Sequence, residues 1–310
     1  MEALKITIQS DRKKAEIFNK IMEKDHHYWK RLKGPDDVFR WLDNFSGERE
    51  TYLALVLADN IMYYTFEQVQ YLWRRILTNR VKLWLLDEVA HILPVDIEKW
   101  FEDYLRSKCV FVGFGRASES GQSMPNVFKH SHDVKGLKYM ELFELLCADK
   151  EMRTVEIVFL LDDFIGNGDQ AIKEWHRKRG EKGQNDEKSL DDLHKKNPHL
   201  RFVYLALVGC KEGKKAIEDH TSLKIILGEE LDEKFKCFSD KSLVFTGENE
   251  RNEARQIMEQ KGKMLYEHPL GYGNMQLAIA FFNNTPNDSL PVIWKRMKDG
   301  SWYPLFERFE

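Results

Sequence analysis

The stretch VEIVFLLDDFIGNGDQAIKEW, Val155–Trp175, decides the fold. An apolar run ends in two aspartates, Asp162 and Asp163, crosses glycines at 166 and 168, and becomes helical. A short run of Val, Ile, Phe and Leu reads as a strand buried on both faces, the kind found in parallel sheets covered by helices. Runs of similar texture are CVFVGF from Cys109, RFVYLALVG from Arg201, LKIILGEEL from Leu223 and MQLAIAFF from Met275. Helix-like segments separate them, among them GLKYMELFELLCADK from Gly136 and KEGKKAIED from Lys211. The alternation predicts an α/β fold with a mainly parallel sheet and helices on both faces.

The chain to residue 108 reads as a helical N-terminal region. YLALVLADNIMYY, Tyr52–Tyr64, suits a mostly buried helix. Thr65 and Gln68 have the spacing of a capping box, and Asp96 can cap IEKWFEDYLRSK after Pro94. Trp41, Tyr63, Tyr64, Tyr71, Trp73, Trp84 and Trp100 could be imagined as a base-stacking surface, but their helical spacing favours packing between helices. The texture changes at Cys109, so residues 109–310 are expected to form the α/β domain. Within it, His176–His199 is nearly all polar and reads as a solvated excursion, its positive charges interleaved with Glu and Asp.

The 310 residues are 42% hydrophobic and 32% charged, with a formal charge of −3. That balance offers no global attraction to nucleic acid or anionic lipid. No apolar run approaches the roughly 18 residues of a membrane span. The start, MEALKITIQSDRKK, lacks the apolar core of a secretion signal, so a cytoplasmic protein is expected. Four widely spaced cysteines (Cys109, Cys147, Cys210 and Cys237) suit buried free thiols, with Cys147 in a helical core. His26, His27, His130 and His132 have no partner at ligand spacing, and Glu229, Glu230 and Asp232 read as a solvated face.

Ligands of an open parallel sheet sit beyond the carboxyl ends of its strands. Asp162 and Asp163 fall at that edge and point to opposite sides of an extended chain. One can accept hydrogen bonds from vicinal sugar hydroxyls while the other faces a metal or neighbouring backbone. The bland alternative is a pair that caps the loop and the helix. The GNG turn and the helix N-terminus expose amides to an anion. Sugar hydroxyls with a phosphate close by describe a ribose 5-phosphate.

VFLLDDFIGNGDQA resembles the signature of the type I phosphoribosyltransferases, over roughly Cys109–Leu231. The whole chain is similar to a divergent branch, the phosphoribosyltransferase-like proteins of bacterial conflict systems. That likeness adds WLDNF (Trp41–Phe45), NNTPNDSLPVIW (Asn283–Trp294) and the following WYPLFER. It implies an effector of antiphage defence, working beside partner proteins such as a reverse transcriptase. The implied ligand is phosphoribosyl pyrophosphate or a nucleotide, and the implied chemistry is glycosyl transfer or glycosidic-bond cleavage. The implied alternative is an inactive module that senses a nucleotide or binds a protein. Asp162 and Asp163 would hold the ribose hydroxyls, directly or through Mg²⁺. Gly166, Asn167, Gly168, Asp169 and Gln170 would line the 5′-phosphate. Gly113, Gly115, Ser120 and Gly121 would form the pyrophosphate loop. Arg116 would neutralise the leaving group, or is simply a surface arginine. NNTPNDSLP is a turn cluster that could also reach the ligand edge.

Three departures matter. Gly166 stands where the family's loop carries an acidic residue proposed as a base. Asn167 and Gln170 replace the phosphate-binding threonines, though both keep amide donors. Asp169 adds a charge. A like charge about 4 Å away costs roughly 4 kcal/mol at an effective dielectric of 20, against about 0.3 to 2 kcal/mol returned by a helix end. Facing inward, Asp169 opposes phosphate unless a cation or Arg116 compensates; turned away or capping its helix, it is harmless.

Overall fold

The structure is a computed structural model that describes residues 2–30, 32–90, 93–114, 124–148, 151–180 and 187–309. Its strands are β1 (Met62–Tyr64), β2 (Cys109–Gly113), β3 (Lys138–Met140), β4 (Ile157–Ile165), β5 (Arg201–Cys210), β6 (Leu223–Leu231) and β7 (Ile279–Phe281). The chain divides into two compact units: residues 67–231, and residues 1–66 joined by 232–310. The units meet along the chain at 66/67 and 231/232. Helical composition alone could not separate the helices before residue 67 from those that cover the sheet.

The unit of residues 67–231 is α/β. Its five strands are all parallel, in the order β3-β2-β4-β5-β6. One face carries Val110, Val112, Val158, Leu160, Tyr204 and Leu227 against Leu145, Ala171, Trp175, Leu193 and Ile217 from helices. On the other, Phe111 stacks on Phe128 and Phe159 at 5.1 and 5.0 Å, and Trp84 meets Phe159 edge-on. Helices thus cover both faces, which is why the central strands are continuous apolar runs. Asp96 caps the Ile97–Lys108 helix by accepting from the Lys99 amide, as its position predicts.

Three local readings change. GLKYMELFELLCADK contains β3 before the short helix Leu142–Cys147, and that helix exposes Cys147 instead of burying it. The polar excursion is folded at both ends. Glu174 is buried between Arg177, 2.7 Å away, and Arg179, while Leu190 and Leu193 carry the Leu190–Lys196 helix into the core. A mostly polar composition hid those two anchors.

The other unit is mainly helical, with β1 and β7 as a two-stranded parallel pair. The expected Tyr52–Tyr64 helix is Gly47–Asp59 followed by β1. β1's partner lies more than two hundred residues on, invisible to local periodicity. For the same reason MQLAIAFF supplies β7 here and no strand of the large sheet. The next helix begins at Phe66, directly after Thr65. WLDNF meets NNTPNDSLPVIW in this core, where the Trp41 indole N–H donates to the Val292 carbonyl at 2.7 Å. Among the described residues, no helix is long and apolar enough to cross a membrane.

Candidate functional site

β4 continues through both aspartates to Ile165, so the pair lies inside the strand's carboxyl end and not beyond it. Asp162 pairs in register with Ala206 of β5. β2 ends beside it, with Gly113 level with Leu161 and the Phe114 amide bonded to the Leu161 carbonyl at 2.9 Å. Within the sheet, β2 is followed in sequence by β3 on one side and β4 on the other. The order reverses between β2 and β4, and doubly wound folds bind ligands at such a switch point. Asp162 and Asp163 stand on that edge.

Strand alternation starts Asp162 on the Leu160 face and Asp163 on the Leu161 face, yet the two carboxyls stay within hydrogen-bonding reach of each other. Both are only 7% exposed. Asp162 Oδ1 accepts the Asp163 amide at 2.9 Å, and Oδ2 accepts the Tyr204 hydroxyl at 2.7 Å. Burial pushes the Asp162 carboxyl well above its usual range, and the like charge of Asp163 adds to that. The Tyr204 bond and the Asp163 amide pull the other way.

The loop after β4 turns at Gly168, whose φ of 89° is left-handed and suits glycine, and Asp169–His176 follows as a helix. Gly213, in the first turn of the Lys211–His220 helix, backs this loop. A Cβ at Gly213 would lie 2.0 Å from the Gly166 carbonyl, and one at Gly168 would lie 2.7 Å from the Gly213 carbonyl. Loop and helix are therefore in backbone contact. Asn167 and Asp169 bond reciprocally: Asn167 Nδ2 donates to Asp169 Oδ2 at 3.0 Å, and the Asp169 amide donates to Asn167 Oδ1 at 3.1 Å. Asp169 sits in the first helical turn, where the helix dipole favours a carboxylate. Gln170 is exposed.

The expected residues thus divide. Gly113, Asp162, Asp163 and the Gly166–Gln170 loop share one sheet edge, whereas Gly115, Arg116, Ser120 and Gly121 lie outside the described residues. NNTPNDSLP belongs to the other unit. Among the described residues, no group of three or more His, Cys, Asp or Glu could hold a metal. Glu230 meets Lys214 at 3.2 Å, and Asp232 meets Lys234 at 3.3 Å, as befits a solvated face. Sequence reading missed Tyr204 and Gly213. A tyrosine inside an apolar strand needs a partner for its hydroxyl, and a glycine inside KEGKK marks a close backbone approach.

The family model PRTase-CE matches residues 38–308 of the chain. No curated protein matches it. Among solved structures it is similar to the AQ2163 protein from Aquifex aeolicus, with 16% identity over 65% of this chain and 86% of that one, and a TM-score of 0.28.

Proposed function

The chain belongs to the PRTase-CE family, and from that premise we propose that the edge at β4 binds a ribose phosphate, either phosphoribosyl pyrophosphate or a nucleotide. The carrying observation is the buried Asp162–Asp163 pair at the sheet's switch point, followed by a left-handed glycine and a helix N-terminus. The carboxyls accept sugar hydroxyls, and the loop amides of residues 166–170 other than that of Asp169, already bonded to Asn167, face the 5′-phosphate. Membership of the family carries phosphoribosyltransferase-like function.

In the catalytic form, the acceptor's lone pair attacks the anomeric carbon. The carbon–oxygen bond to pyrophosphate breaks and its electrons leave with the pyrophosphate. Positive charge at the anomeric carbon is stabilised by the nearby carboxyls. Gly166 has no side chain to act as a base, so the acceptor brings its own nucleophilic lone pair. A Mg²⁺ would rest on Asp162 and Asp163 and on substrate oxygens, neutralising pyrophosphate charge, as suits a cation that takes few protein ligands. Arg116 would assist the same charge. The reciprocal Asn167–Asp169 bonds favour a second reading, a module that binds a nucleotide or partner without turnover, because they commit the amide that would serve phosphate. In either form the protein would act as an effector of antiphage defence with partner proteins encoded beside it.

Calorimetry with ribose 5-phosphate, and phosphoribosyl pyrophosphate turnover with Mg²⁺, test this in wild type and in Asp162→Ala plus Asp163→Ala. The double variant should lose binding by about 100-fold, near 2.8 kcal/mol. Binding without turnover in wild type selects the module; unchanged binding in the variant rejects both readings. Phage challenge of cells carrying the chain with its neighbouring genes tests the defence role, which fails if protection is absent.

A further inference from the structure

Tyr204 is 2% exposed and lies on β5, in register with Leu160. Its hydroxyl therefore reaches along the sheet to Asp162 Oδ2, at 2.7 Å. Phe114 packs against its ring edge-on, with centroids 4.8 Å apart, and is itself tied to β4 through the Leu161 carbonyl. Asp162 Oδ1 is held independently by the Asp163 amide. Both oxygens of Asp162 are thus oriented by groups from two strands, and the carboxyl cannot rotate without breaking a bond to each. Beyond these bonds the carboxyl retains acceptor capacity for a ligand, part of it shared with the Asp163 side chain.

We propose that Tyr204 is a positioning residue for the sugar end of the site: it fixes the Asp162 carboxyl so that the remaining lone pairs meet a ribose hydroxyl. This rests on the ribose phosphate reading and names the group that makes the site select ribose over 2-deoxyribose. A site shaped to bond a hydroxyl rejects the analogue lacking it, because the buried acceptor is left unmet. Orientation is what makes that rejection effective. A carboxyl free to swing would turn to solvent or to a neighbour and accept either sugar. Tyr204 has no part in the loop of residues 166–170, so phosphate recognition by itself provides an internal control.

The test compares ribose 5-phosphate, 2-deoxyribose 5-phosphate and inorganic phosphate by calorimetry, in wild type and Tyr204→Phe. Wild type should prefer ribose 5-phosphate, and Tyr204→Phe should cut that preference about tenfold, as for loss of a hydrogen bond to a charged group. Inorganic phosphate affinity should stay within about twofold, since its charge-assisted contacts are untouched. An equal loss for all three ligands overturns the positioning role in favour of a general structural one. Discrimination that survives in Tyr204→Phe overturns the role of Tyr204 alone. Wild type that binds neither sugar phosphate overturns the ribose reading, and this role with it. The contact is also tested without ligand by NMR of protein labelled at the tyrosine ζ carbon. The signal lost in Tyr204→Phe should move in Asp162→Asn, and a signal that does not move overturns the proposal at its source.

Discussion

Both units bury polar groups against complementary partners, as Glu174 is against Arg177 and Arg179, and they differ in one buried pair of like sign. In the unit built from residues 1–66 and 232–310, several buried groups meet complementary ones. Ser289 Oγ donates to the Ile279 carbonyl and accepts the Ile279 amide, Thr285 donates to the Phe306 carbonyl, and Trp294 donates to the Ser289 carbonyl. Lys14, 4% exposed, has Asp11 at 3.1 Å and Glu48 at 3.5 Å. In the unit of residues 67–231, two acids of the same sign are buried side by side. Complementary burial fastens chain to chain. Like-signed burial costs stability and is typical of sites that wait for a ligand.

Matched glycines put this contrast under the largest strain. Gly213 and Gly262 both lie inside helices, and a Cβ would meet a backbone carbonyl at 2.0 Å, from Gly166, or 2.1 Å, from Pro269. Alanine ordinarily favours a helix over glycine by about 1 kcal/mol. Here each alanine should instead destabilise by about 1 to 3 kcal/mol through overpacking, measured by denaturant unfolding. Only Gly213→Ala should also weaken inorganic phosphate binding, because only it displaces the loop of the candidate site. Equal phosphate affinity in the two variants would break the comparison.

Asp169→Asn should have the next largest effect. It removes a charge from the helix end while keeping a side chain able to bond Asn167. Phosphate affinity by calorimetry should rise roughly tenfold, about 1.4 kcal/mol, a fraction of the roughly 4 kcal/mol for a unit charge at 4 Å. Unaltered affinity would mean that phosphate does not approach this loop.

Asp163→Asn should have the smallest effect, and its sign is the informative part. The native state holds a proton on Asp162 to higher pH than the unfolded chain does, so wild-type stability falls as pH rises from the ordinary carboxylate range toward the raised value. Removing the like charge of Asp163 lessens that slope, while burial, the larger cause, remains. The variant should therefore gain stability at neutral pH, about 1 kcal/mol for relief of one like-charge contact, and the gain should fade as pH falls through the ordinary carboxylate range, where Asp162 is protonated in either state. A gain of equal size at low pH would show that repulsion is not its origin.

The sheet was legible because Val158–Leu161 and Phe202–Val208 are apolar on both faces, as a central parallel strand requires. β1 and β3, three residues each, were not, since nothing in MYY or KYM distinguishes a short strand from helix. β4 ran further than expected because charge normally marks a strand's end, and here Asp162 and Asp163 are buried within it. The aspartates and the glycine loop could be found from type and spacing. The Asn167–Asp169 pairing could not, because an outward and an inward aspartate are the same letter. Tyr204 lies forty-two residues from its partner, and only strand register brings the two together.

The split unit also has a history in time. Trp41 closes on Val292, 251 residues later, and Asn44 on Tyr303, 259 residues later. A ribosome delivers residues 67–231 as an uninterrupted stretch with every strand of the large sheet, whereas the first helices are made long before their partners. At about 5 to 20 residues per second, those helices wait on the order of ten seconds or more with apolar faces uncovered. Until the chain past Val292 and Tyr303 emerges, the Trp41 indole and the Asn44 side chain lack these partners.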